Sequence, residues 1–87
     1  MKFVDDDEGY LAWLREHPRG YVVNAERRPR SEYLVLHRAT CHTISGKAGS
    51  WTKTYTKVCA KTVADLDAWA HTETGGYPSR CGFCPPS

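Results

Sequence analysis

The four cysteines of this chain are the residues whose spacing points most directly to chemistry. The last two stand in the sequence RCGFC, and a tight turn of this kind lets both sulfurs lie about 2.3 Å from one zinc ion. A structural zinc ion takes four ligands, and two further cysteines stand at the ends of predicted strands. The spacing therefore predicts a zinc site formed by Cys41, Cys59, Cys81 and Cys84.

Other uses of these thiols remain open from the sequence. His37, four residues before Cys41, or the adjacent His42 can replace Cys41 as a nitrogen ligand. Two disulfides would fit the even cysteine count in an exported chain, and unrelated buried thiols are a further alternative. A redox Cys-x-x-Cys pair needs a helix after the second thiol, whereas Pro85 and Pro86 follow here.

The compartment favours metal over disulfides. The first residues, MKFVDDDEGY, lack the basic and apolar regions of a secretory signal, and no apolar run reaches the roughly 20 residues of a membrane span. We therefore expect a cytoplasmic protein without membrane contact, in which thiols stay reduced and clustered cysteines bind metal.

The middle of the chain is strongly basic, although the net charge is only +2. Residues 15–61 carry ten Lys and Arg side chains against three Glu, which favours an anionic partner. Basic and aromatic side chains together are typical of nucleic-acid surfaces, where cations contact phosphates and rings stack on bases. The candidate contact residues for a nucleic acid, with DNA favoured, are Arg27, Arg28, Arg30, Lys53, Lys57, Trp51 and Tyr55.

A rival interpretation assigns Trp51 and Tyr55 to the core and the arginines to a solvated loop. The chain would then be a zinc-stabilised protein-interaction module without nucleic-acid binding. An enzyme is not expected, although Cys41 with His37 or His42 could form a nucleophile and a base. The chain has no Gly-rich phosphate loop and little bulk to enclose a substrate, and zinc would occupy the thiols.

Two helices and three strands must position these side chains. Acidic residues from Asp5 open a helix that ends at Pro18, and Thr62 caps a second helix over 63–73. Apolar stretches rich in aromatic and β-branched residues predict strands over 21–25 and 33–37, and alternation predicts a third strand over 51–59. We expect one domain over residues 1–87, an α+β fold with a small three-stranded antiparallel sheet, two helices and a C-terminal zinc knuckle.

Three segments, YLVLHRATCHTISG, KVCAK and the terminal CGFC, resemble small bacterial zinc-type accessory domains that accompany restriction-like nucleases. The resemblance spans most of the chain. It implies a targeting domain that positions a separate catalytic domain on DNA, so a larger nuclease-type protein is an implied partner. It also assigns the same four cysteines to the metal and leaves the base-contacting residues undefined.

Overall fold

A computed structural model of the chain describes residues 1–44 and 51–82. These residues form two helices, five strands and a single 3-10 turn at His42–Ile44, joined by loops. In chain order the elements are β1 (Lys2–Phe3), α1 (Asp7–Glu16), β2 (Tyr21–Glu26), β3 (Leu34–Arg38), β4 (Tyr55–Ala60), α2 (Val63–Thr74) and β5 (Ser79–Arg80). The predicted α+β class is confirmed.

The sheet has the strand order β1-β4-β2-β3-β5. Its three central strands are the predicted ones, and they pair antiparallel. The predicted three-stranded antiparallel sheet is nevertheless wrong in strand number and in one pairing direction. The edge strand β1 pairs antiparallel with β4, and β5 pairs parallel with β3, so the sheet is five-stranded and mixed. Two-residue strands have no alternation of their own, which is why the sequence pattern does not indicate them.

Local signals at the helix ends explain where the helices begin and end. The Asp6 side chain caps α1 by accepting a hydrogen bond from the Gly9 N–H at 2.9 Å. Thr62 caps α2 in the same way through the Asp65 N–H at 3.2 Å. Gly75 ends α2 with φ +79°, a left-handed conformation in which a residue with a Cβ is strained.

The two helices pack on opposite faces of the sheet. On the α1 face, which carries Val22 and Cys59, the helix contributes Tyr10, Trp13 and Leu14 to a buried cluster. On the α2 face the helix residues Leu66 and Ala70 are buried against strand residues that include Leu34 and Leu36. Both leucines are buried. Alternation along the strands divides the two faces, because successive side chains point to opposite sides.

Within residues 1–44 and 51–82, no helix has both the length and the apolar content to cross a membrane.

Candidate metal centre and adjacent cleft

Three potential metal ligands, His37, Cys41 and Cys81, come together beside β3. His37 lies within β3, and Cys41 follows a turn in which its N–H donates to the Arg38 carbonyl at 3.0 Å. Cys81 directly follows β5, and its N–H donates to the Leu36 carbonyl at 2.9 Å. The parallel pairing of β5 with β3 therefore brings residue 81 to residues 37 and 41. We call these three residues the metal group.

The geometry of the metal group suits one metal ion. One ligand atom from each residue lies within 4.8 Å of the other two, and all three residues are buried. The two sulfurs are 4.0 Å apart. Two sulfurs at 2.3 Å from a tetrahedral zinc ion would be separated by about 3.8 Å, so the spacing is close to that of a bound pair. A disulfide bond requires about 2.05 Å, so Cys41 and Cys81 are not bonded to each other.

The surroundings of the metal group orient two of its ligands and keep His37 neutral. The Thr43 hydroxyl lies 2.9 Å from Cys41 Sγ and 3.3 Å from His37 Nδ1, so one side chain orients two ligands. Burial, with a smaller contribution from the charge of Lys57, lowers the pKa of His37 to about 4. The imidazole is therefore neutral at pH 7 and has a lone pair to offer a metal.

The metal group and the predicted cysteine set overlap in Cys41 and Cys81. Cys84 lies outside the described residues, and His42 is exposed and outside the group. Cys59 is buried on β4, where its N–H donates to the Met1 carbonyl at 2.7 Å and burial raises its thiol pKa to about 12. Its role as a ligand stays a prediction. The sequence suggests His37 only as a replacement for Cys41, whereas in the structure both residues belong to the metal group.

A cleft of about 370 Å³ opens next to the metal group on the α1 face. Its aromatic walls are Tyr33, Trp51 and Tyr55, and its polar side chains include Asn24 and Lys57. The remaining lining residues are Val35, His37, Thr43 and Ile44. The cleft lies beyond the part of the sheet that α1 covers, because no residue of α1 lines it. Three predicted contact residues, Trp51, Tyr55 and Lys57, therefore meet in one concave site.

A hydrogen-bonded chain runs through the cleft from one strand to the next. The Lys57 ammonium donates to Asn24 Oδ1, and the Asn24 amide donates to the Tyr33 hydroxyl at 2.9 Å. The ammonium also lies 5.6 Å from the centre of the Tyr55 ring. Only 5% of Lys57 is exposed, and burial lowers its pKa from 10.5 to about 8. A buried cation of this kind lowers stability, which is typical of a functional position.

The remaining predicted contact residues lie close to the mouth of the cleft. Arg27, Arg28 and Arg30 are exposed on the loop of residues 27–33, which we call the basic loop; it joins β2 to β3. Glu26, just before the loop, pairs in the sheet with Tyr55 of the cleft wall. The Arg27 guanidinium also donates to the Lys53 carbonyl, which places this part of the loop against the segment before β4.

Two of the arginines form ion pairs within the chain. Arg27 makes a two-pronged contact with the Asp5 carboxylate at 2.8 and 3.0 Å, and Arg30 contacts Glu26 at 2.6 Å. These carboxylates and guanidinium groups are all substantially exposed, so each pair contributes little to stability and a phosphate can compete for the cation. Arg28 and Lys53 are exposed as well.

Asn24 and Tyr33 are among the cleft residues that the predicted contact set does not include. Asn24 is the one amide side chain in the apolar strand YVVNAE, and a polar residue at such a position is a usable signal. Alternation over residues 33–37 puts Tyr33 on the same face as Val35 and His37, and all three line the cleft.

Comparisons of the chain with protein-family models, curated proteins and solved structures give no match. Its function must therefore be inferred from the chemistry of the metal group and of the cleft.

Proposed function

We propose that this chain is a zinc-stabilised module that binds nucleic acid, with DNA the favoured partner. The observation that carries the proposal is the position of the aromatic cleft beside the exposed basic loop. Cations of the loop would contact phosphates and supply affinity, while the rings of the cleft would contact bases. In this role the module would position a separate catalytic domain of a larger nuclease-type protein on DNA.

Zinc is the metal that fits the donor set. Two thiolates and one imidazole are soft and borderline ligands, which favour zinc over magnesium or calcium. A structural zinc ion needs a fourth ligand, and the Cys-x-x-Cys spacing predicts Cys84 for it, with Cys59 as the alternative. The metal would tie β3, the turn after it and β5 together, which stabilises a domain whose core is small.

Zinc affinity measured by competition with a chromophoric chelator tests this part of the proposal. We expect one zinc per chain, and a loss of affinity of at least about tenfold in His37→Ala, Cys41→Ser and Cys81→Ser. Cys84→Ser should behave like these variants, and Cys59→Ala should keep full affinity. The opposite result for the last two variants would assign the fourth position to Cys59. A purified protein that is folded without any metal, in reductant and chelator, would contradict the zinc proposal.

Salt dependence of binding tests the nucleic-acid part. Affinity for a fluorescent DNA strand should fall steeply as salt rises, because each neutralised phosphate releases counterions. Arg28→Ala combined with Lys53→Ala should weaken binding and flatten the salt dependence. The matched control is Arg15→Ala with Arg19→Ala, which removes the same charge beside the opposite end of β2.

Two results would contradict nucleic-acid binding at the basic loop. One is the absence of binding to single-stranded and duplex DNA and RNA at micromolar protein and low salt. The other is an equal effect of the two double variants, since this would mean that only net charge matters. Salt-independent capture of a protein partner would favour the protein-interaction alternative instead.

A further inference from the structure

The cleft has walls that suit a flat ring. The Tyr33 and Tyr55 rings lie with their centres 5.5 Å apart and their planes at 33°, and Tyr55 is 39% exposed. Trp51 adds a third, partly buried ring. Aromatic side chains with one accessible surface are stacking platforms for planar ligands, and a cleft of this volume has room for a single ring system with its substituents.

The polar side chains in the cleft determine which ring atoms can face them. An ammonium group has three hydrogen-bond donors and no acceptor, and Asn24 uses one donor of Lys57. The ligand atom that faces Lys57 must therefore be an acceptor. Asn24 in turn has one further N–H beyond the one given to Tyr33, so this part of the cleft is rich in donors.

Two other ligand classes fit these groups less well. A methylated ammonium would suit the aromatic walls, but the Lys57 charge inside the cleft would repel it. An aliphatic side chain would cover Lys57 and Asn24 without satisfying their hydrogen bonds, which costs binding energy. A planar ring with carbonyl oxygens on its edge satisfies both the walls and the donors.

Building on the proposed nucleic-acid function, we infer that the cleft takes one unstacked nucleobase and selects bases that carry a carbonyl oxygen. Stacking against Tyr55 would hold the ring, and Lys57 would donate to the carbonyl oxygen. Thymine, uracil, cytosine and guanine carry such an oxygen, whereas adenine offers only ring nitrogens as acceptors. The basic loop would hold the phosphates on either side of the base.

Three single strands of equal length and charge separate base binding from phosphate binding. The first is abasic throughout, the second carries one central thymine, and the third carries one central adenine. We expect the thymine to raise affinity at least about fivefold over the abasic strand, as stacking of one base does elsewhere. The adenine should give a smaller gain than the thymine, because it does not present a carbonyl to Lys57.

Variants assign these gains to the cleft. Tyr55→Ala should remove the thymine gain, whereas Tyr77→Ala, which truncates an exposed tyrosine away from the cleft, should keep it. Lys57→Met should remove the preference for thymine over adenine, with Lys61→Met as the control for lost charge. Urea denaturation of each variant confirms that it is folded.

The outcomes distinguish this inference from the proposed function. Salt-dependent binding of the abasic strand without any gain from thymine would overturn base binding in the cleft and leave nucleic-acid binding intact. Equal gains from thymine and adenine would overturn the carbonyl selection. Failure of all three strands to bind would overturn the proposed function itself.

Discussion

The contact between Asp7 and the segment before β4 gives a prediction whose size can be worked out. One carboxylate oxygen of Asp7 accepts three hydrogen bonds, from the Trp51 N–H at 3.1 Å and from the N–H and hydroxyl of Thr52, each at 2.7 Å. Thr52 is fully buried. Asp7 therefore fixes the start of the segment that carries the cleft residue Trp51 to the first turn of α1.

Asp7→Ala leaves three donors without their acceptor. Hydrogen bonds to a charged group contribute about 1.5–3 kcal/mol each, but bonds to one shared oxygen are not additive, so we expect a loss of about 3–4 kcal/mol. Asp7→Asn keeps an oxygen acceptor and loses only the charge, which should cost about 1–2 kcal/mol. The free energy of unfolding of a domain of this size is about 4–13 kcal/mol. Asp7→Ala should therefore remove a large fraction of it.

Urea denaturation of the metal-loaded protein measures these differences, with Glu8→Ala as the control. Glu8 is exposed in the same first turn, so its removal takes away the same charge near the helix dipole, at a cost of about 0.5 kcal/mol. We expect the order Glu8→Ala, Asp7→Asn, Asp7→Ala in increasing loss. If Asp7→Ala falls within about 1 kcal/mol of Glu8→Ala, the three hydrogen bonds do not hold the segment as described.

Three further changes in stability follow from buried polar groups. The pKa of Lys57 is lowered to about 8 in the folded state, so between pH 8 and 10 the unfolded chain binds the extra proton and stability rises with pH. Measured by urea denaturation, the free energy of unfolding of wild type relative to Lys57→Met should rise by about 1 kcal/mol between pH 7 and 9. Parallel pH curves for the two proteins would contradict this. The Thr56 hydroxyl is buried and no described residue bonds to it, so Thr56→Val should raise stability by about 1 kcal/mol; a loss in the same assay would mean that the hydroxyl has a partner. The buried Tyr10 hydroxyl donates to the Ile44 carbonyl at 2.9 Å. Tyr10→Phe should cost about 1–2 kcal/mol in thermal or urea denaturation, and an unchanged midpoint would argue against this bond.

The elements that the sequence predicts well are those set by neighbouring residues. The acidic opening of α1 and the cap of α2 at Thr62 depend on side chains within one turn, and both are present. The antiparallel pairing of β2 with β3 likewise follows from two apolar segments that are neighbours in the chain and are joined by the basic loop. Such signals lie within a few residues of one another, so a single sequence contains them.

The elements that the sequence does not predict depend on distant partners. Strand β4 begins at Tyr55 and not at Trp51, because Asp7 of α1 bonds the backbone at 51 and 52 in place of a neighbouring strand. The composition of the metal group is a similar case. Alternation places His37 opposite the core leucines, but only the parallel pairing of β5 brings Cys81 to it. No local pattern encodes that pairing.

His37 links the metal group to the cleft, because its ring belongs to the first and lines the second.

The two outermost strands are only two residues long, and they come from opposite regions of the chain. Short edges leave few unpaired N–H and C=O groups, so another sheet has little to join. Each edge strand also covers a longer strand, β4 on one side and β3 on the other. Deletion of β1 would expose the edge of the six-residue strand β4, and deletion of β5 would expose the edge of the five-residue strand β3. We expect either shortened protein to self-associate in solution through the exposed edge.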